Sequence, residues 1–250
     1  MREDLSKFVI HIRNTPLDRI GNNCTETSTK FLGIIIDENL TWKYHVKHVN
    51  SKVSRALFLI KQVKHVLPSE SLRTLYYSLI HPHLSYGIVA WGNADTNIIK
   101  QSVMIQKRAI RVINNAPYNG HTEPLFKYSA ILNLCDIFEH QCIIFMYDYV
   151  QNHLTKSFNS MFMANSDLPN ARLTRQSNMI NIPRCNSSFA TKLPKYFLPA
   201  LWNKWVRLIP DDCNTRSRIK RFVKMHKLSS YLAYVHCNNQ RCFQCNQNRN

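Results

Sequence analysis

Between Thr41 and Asn152 apolar residues return every three or four positions, and this spacing limits the fold more than any other feature of the 250-residue chain. It puts an apolar stripe on one side of a helix, and such a stripe is stable only when other elements cover it. Trp42, Val46, Val49, Val53, Leu57 and Ile60 form the first stripe, on a helix capped by Thr41 and running to about His65. Lys43, Lys47, Lys52, Arg55, Lys61 and Lys64 fall mostly on its other faces. A second helix opens at Pro68, with Ser69 and Glu70 in its first turn, and carries Leu72, Leu75, Tyr76, Leu79 and Ile80. Pro82 is expected to interrupt or kink it, after which His83 to Trp91 continues apolar until Gly92 and Asn93 close the helix. A third helix spans Thr96 to Asn115, with Ile99, Val103, Gln106, Ile110 and Ile113 facing inward. Thr122 and Pro124 start a short helix leading to Tyr128. Leu134 to Asn152 is a strong helix with Ile137, Cys142 or Gln141, Phe145 and Tyr149 near its buried line.

Strand signals are few. Phe8 to Ile12 alternates weakly, Pro16 to Asn23 is turn-like, and Phe31 to Ile36 (FLGIII) reads as a short buried strand. The two runs are candidates to pair in a small sheet. From His153 to Ser177 the pattern dissolves into a linker or long loop. Met179 to Ile182 and Ser188 to Thr191 are candidate short strands, and Leu198 to Ile209 and Thr215 to Tyr234 two final helices. The tail from Asn238 is polar and expected to be disordered apart from its cysteines. The organisation expected is therefore 1–40, 41–152, 153–177, 178–235 and 236–250.

Lys and Arg number 33 against 15 Asp and Glu, a formal charge of +18. Such an imbalance costs stability by self-repulsion and points to a polyanionic partner. Nucleic acid is favoured over an anionic membrane surface, because the basic residues are spread over several elements instead of forming one block. No apolar run approaches the ~20 residues of a membrane span. Arg2, Glu3 and Asp4 follow Met1 with no apolar segment of a secretory leader, so an intracellular location, nuclear or cytoplasmic, and reduced thiols are expected for the eight cysteines.

Acidic residues are too sparse for an obvious two-metal site. The adjacent pair Asp211-Asp212 lies between Ile209-Pro210 and Cys213-Asn214, with no strand on either flank, and reads as a capping turn ahead of Thr215. Asp37-Glu38 follows a strand and leads into a helix, which favours capping over metal binding. His81 and His83 flank Pro82 on different helix faces, which argues against a shared metal. With five glycines and no G-x-x-x-x-G-K, a phosphate-cradling loop is excluded as a leading reading. In the tail, Cys242-x2-Cys245 is half of a zinc site and Cys237 a possible third ligand, but His236 is adjacent to Cys237 and His226 a helix segment away, so a fourth ligand is wanting. Lys100, Lys107, Arg108 and Arg111 form a basic stripe on the third helix, placed to meet phosphates or simply solvent.

Four blocks together resemble one family: KFLGIIIDENLTWKYHV (30–46), VLPSESLRTLYYSLIHPHLSYGIVAWG (66–92), MIQKRAIRVINNAPYNGHTEPLF (104–126) and LPKYFLPALWNKW (193–205). In order and spacing they are similar to jockey-like non-LTR retrotransposon reverse transcriptases, downstream of the polymerase active site, from about Phe8 to about Tyr234. The resemblance implies a mainly α fold: a short β hairpin as palm remnant, a thumb-like helical bundle, and a smaller α+β C-terminal region. It implies a primer-grip role for Phe31, Leu32 and Gly33, with RNA or an RNA/DNA duplex and the N-terminal polymerase portion as partners and no membrane. Lys100, Lys107, Arg108 and Arg111 are candidate phosphate contacts on charge and helix geometry. The family's Tyr-x-Asp-Asp signature would lie ahead of the first strand, so no catalytic residue is assigned here and the chain alone is expected not to polymerise DNA. Mg²⁺ belongs to the intact family; Zn²⁺ at the tail is the one metal considered for this chain. A non-catalytic nucleic-acid-binding module and a non-functional transposon relic are the alternatives. Exposed apolar surface and marginal stability are expected around Phe31 to Ile36.

Overall fold

The computed structural model describes residues 11–12, 15–16, 28–158, 161–167, 179–187, 190–210 and 212–231. Two antiparallel pairs precede the helices: β1 (His11–Ile12) with β2 (Thr15–Pro16), and β3 (Ser28–Phe31) with β4 (Ile34–Asp37). The Phe31–Ile36 run is thus not one strand, and among the described residues β3 and β4 pair only with each other. It folds back on itself at Leu32 and Gly33, whose φ values are 46° and 83°. Two successive positive φ angles are what a two-residue hairpin loop requires, and Gly33 adopts its angle without a Cβ clash.

Asp37 closes β4 and shapes the entry to α1 (Lys43–Val63). Its buried carboxylate accepts from Thr41 N at 3.0 Å, Thr41 Oγ1 at 2.6 Å and Trp42 N at 3.0 Å. Asp37 is thus not the helix cap expected from the sequence: it binds the backbone of Thr41 and Trp42 ahead of α1, which has no side-chain cap. Thr41 is not the cap: Trp42 precedes the helix at φ 65°, and the Thr41 hydroxyl accepts only a long 3.4 Å bond from Lys43 N. Val46, Val49, Val53, Leu57 and Ile60 of α1 are buried, as their spacing predicts.

α2 (Ser69–Leu75) passes through a π turn at Tyr76–Ile80 into α3 (His81–Ser85). The wide turn lies where Pro82 cannot donate to the preceding turn, so the rod continues past it. The break comes later, at Gly87 with φ 59°, and α4 (Ile88–Trp91) is separate. Then follow α5 (Thr96–Ile113), α6 (Glu123–Tyr128) and α7 (Leu134–Val150). Asp95 caps α5 through Asn97 N at 2.9 Å, and Asn133 caps α7 through Asp136 N at 3.0 Å.

Two apolar clusters form the core. The first gathers α1 to α6 with Leu134 and Ile137 of α7. The second gathers Cys142, Ile143, Met146 and Tyr147 of α7 with Phe162, Ile180, and residues of α8 (Pro194–Trp205) and α9 (Arg216–Ser230). α7 serves both, so its burial extends well beyond a single line and includes Ile144. A polar knot joins them. Lys227 pairs with Asp136 at 3.0 Å and with Glu139. Trp205 Nε1 donates to Glu139 at 2.5 Å, and the Tyr231 hydroxyl to Asp136 at 2.5 Å.

The C-terminal expectations need correction. Ala190–Lys192 is a 3₁₀ turn, not part of a strand, and Ile180 makes a single antiparallel bridge with Ala164. Among the described residues that bridge is all the β structure after β4. α8 starts at Pro194, whose fixed φ suits a first helical turn, and ends at Trp205 instead of Ile209. α9 ends at Ser230 rather than Tyr234, and Thr215 caps it, accepting from Arg218 N. No helix among the described residues is long and apolar enough to cross a membrane.

Candidate nucleic-acid interface

The hairpin loop projects its side chains outward: Phe31 is 62% and Leu32 74% exposed, while Ile34 to Ile36 are half-buried. The expected apolar exposure is therefore concentrated at the tip. Three contacts fix the tip to the helices. The Tyr86 hydroxyl donates to Leu32 O at 2.6 Å. Ile35 N donates to His45 Nδ1 at 3.3 Å. Ile34 packs against Gly87 so closely that a Cβ there would lie 2.5 Å from Ile34 Cδ1. His45 is buried and edge-on to Trp91, with ring centroids 5.5 Å apart. Burial, with a smaller push from His48, lowers its pKa to about 4. A neutral ring accepting at Nδ1 carries its proton on Nε2, which is buried and has no hydrogen-bond partner among the described residues.

Beside the hairpin lies a group of basic side chains that the sequence pattern does not bring together. Lys30 comes from β3, His48, Lys52 and Arg55 from α1, and His83 from α3. Burial and then the charges of Lys52, Lys30, Arg55 and His83 hold His48 below its ordinary range. Burial and Lys52 do the same to His83. Lys30, Lys52 and Arg55 are exposed. Among the described residues none of the three is ion-paired with a carboxylate. The spacing 48, 52, 55 on one helix face was the available signal; Lys30 and His83 come from distant positions and gave none.

The basic stripe on α5 is partly committed to structure. Lys100 and Arg108 are exposed and Lys107 is half-buried. Arg111 is half-buried, and its Nε donates to Gly120 O at 2.8 Å, anchoring the following turn. Lys100 and Lys107 edge a groove of about 500 Å³ floored by Val103, Leu134 and Phe138. A third basic surface involves α9: Lys224 Nζ lies 5.7 Å from the Tyr77 ring centroid, near His81 and His140. Among the described residues no group of three or more His, Cys, Asp and Glu is placed to hold a metal ion. Cys237, Cys242, Cys245 and Asp211 lie outside the described residues; Asp212 contributes its carbonyl to Arg218 at 2.8 Å.

Three curated relatives from Drosophila melanogaster are similar in sequence. A "Probable RNA-directed DNA polymerase from transposon BS" is 27% identical over 95 residues, 37% of this chain and 10% of the relative. A "Probable RNA-directed DNA polymerase from transposon X-element" is 28% identical over 95 residues, 36% of this chain and 10% of the relative. The "RNA-directed DNA polymerase from mobile element jockey" is 25% identical over 153 residues, 59% of this chain and 16% of the relative. The chain thus spans a small part of each relative's length. No family model and no solved structure matches it.

Proposed function

From the homology of this chain to RNA-directed DNA polymerases of Drosophila non-LTR retrotransposons, we propose that it is the part of such a polymerase that holds the primer–template duplex. In this reading the hairpin tip, Phe31, Leu32 and Gly33, acts as a primer grip, and α1 to α7 as the thumb. The observation that carries the reading is the juxtaposition of that tip with a carboxylate-poor cationic cluster. Phosphates satisfy exposed lysines and arginines, and an exposed apolar tip supplies contact to sugars and bases. The stripe of Lys100, Lys107 and Arg108 extends the basic surface along α5; Arg111, held by Gly120, adds charge more than reach.

Nucleotidyl transfer is assigned to paired carboxylates and Mg²⁺ in another part of the polymerase, which is also the proposed protein partner. The chain by itself then binds and does not extend. Filter binding to an RNA/DNA duplex over a salt series tests the first half. Neutralising several phosphates makes log K fall linearly with log salt, with a slope of roughly 0.7–0.9 per phosphate contacted. A flat slope, or no binding at low salt, contradicts it. Primer extension by the chain alone with Mg²⁺ contradicts the second half.

A further inference from the structure

Two imidazoles sit among the fixed charges of the cluster beside the hairpin. His48, Lys52 and Arg55 occupy successive turns of one face of α1, with Lys30 reaching in from β3 and His83 from α3. The charges that act on His48 are all basic, namely these four, and His48 in turn acts on the buried, neutral His45. Fixed positive charge discourages a proton on either imidazole while the surface is bare. A phosphate laid across the group cancels that charge and itself accepts hydrogen bonds best from protonated rings. We propose that a phosphodiester backbone binds across Lys30, His48, Lys52, Arg55 and His83, and that His48 and His83 take up protons as it binds. This rests on the duplex-holding reading and adds where the backbone lies and how pH governs it. His45 takes no part, because protonating it would remove the acceptor of Ile35 N and loosen the hairpin.

Linkage fixes the sign. Protons bound preferentially by the complex make affinity rise as pH falls, by at most about tenfold per pH unit for each imidazole. The test uses the full chain and an RNA/DNA duplex at fixed salt, with calorimetry near pH 6.5 in buffers of different ionisation enthalpy. The expected result is net proton uptake, rising toward about two per complex, with affinity increasing by roughly tenfold from pH 7.5 to 6. The double variant His48→Gln, His83→Gln should bind with a salt slope within about one unit of the unmodified chain and without uptake. His65→Gln, an exposed histidine outside the cluster, should keep it. Each single variant should lose about half of the uptake, which preserves the test if the double variant does not fold. Steep salt-dependent binding with no uptake, or uptake retained by the double variant, overturns this inference and leaves the duplex-holding reading standing. Absence of salt-dependent binding removes both.

Discussion

The carboxylate of Asp37 receives Thr41 N, Thr41 Oγ1 and Trp42 N, and the left-handed residues Leu40 and Trp42 depend on that grip. Burial pushes its pKa up, but the hydrogen bonds from Thr41 and Trp42 outweigh burial and hold it below the ordinary carboxylate value. Its contribution to stability is present above the unfolded pKa and is lost as pH falls through the folded one. Asp37→Ala should lower unfolding free energy by about 1–3 kcal/mol in urea titrations, and a change under about 0.5 kcal/mol would contradict the account. His45 titrates in the same direction from a different cause. Its folded pKa, about 4, lies below the unfolded value of 6.5. The unfolded chain therefore binds the proton first, and the thermal midpoint should fall as pH drops from 6.5 toward 4. His81 and His140, also depressed, add to that slope. His45→Leu should lower the midpoint at neutral pH yet flatten its decline in acid; an unchanged slope would contradict the assignment. Asp37 was legible in part: its place between an apolar run and a helix marks a structural carboxylate, but it orders the turn at Thr41 and Trp42 and does not cap α1. His45 was not legible, since its partner Ile35 lies ten residues away on another element.

The hairpin is the element whose order matters most to the proposed site. Tyr86→Phe removes the hydroxyl that holds Leu32 O. Tyr86 is 56% exposed, so the global loss should be small, about 0.5–1.5 kcal/mol, with amide exchange accelerated at 31–34 and unchanged in α5. Uniform acceleration throughout would mean that Tyr86 supports the core instead. Gly87→Ala adds a Cβ at positive φ against Ile34 and should cost about 1–2 kcal/mol by thermal unfolding. A neutral effect would contradict the close packing. The helices were largely readable: the stripes of α1 and α5 predict their buried residues because a 3.6-residue period is local information. The hairpin was misread because a β-branched apolar run looks continuous, and Leu32 is a poor advertisement for a left-handed turn. The break at Gly87 was hidden inside an apolar run, while Pro82, the louder signal, was absorbed by a π turn. Single-line burial of α7 failed because a helix shared by two cores needs more than one apolar face.

At the scale of the molecule, the knot of Lys227, Asp136, Glu139, Trp205 and Tyr231 ties α7, α8 and α9 where the two cores meet. Glu139, Asp136 and Lys227 are mostly sequestered from solvent, with side-chain exposures of 13–17%. Removing one partner leaves buried charge uncompensated, so Lys227→Ala should cost about 3–5 kcal/mol, read from the urea midpoint and slope. A loss below about 1 kcal/mol would show that the knot is solvated and marginal. The cationic cluster also exists only at this scale. It draws Lys30, three residues of α1 and His83 from separate stretches, whereas the stripe on α5 is contiguous in sequence and legible there. The central claim is that a duplex lies across the hairpin tip and this cluster. Photo-cross-linking of the chain to an RNA/DNA duplex with a reactive backbone, followed by mass spectrometric mapping, tests it most directly. Adducts at 30–33, 48–55 and 83–86 are the predicted result, and adducts confined to α8 and α9 would contradict it.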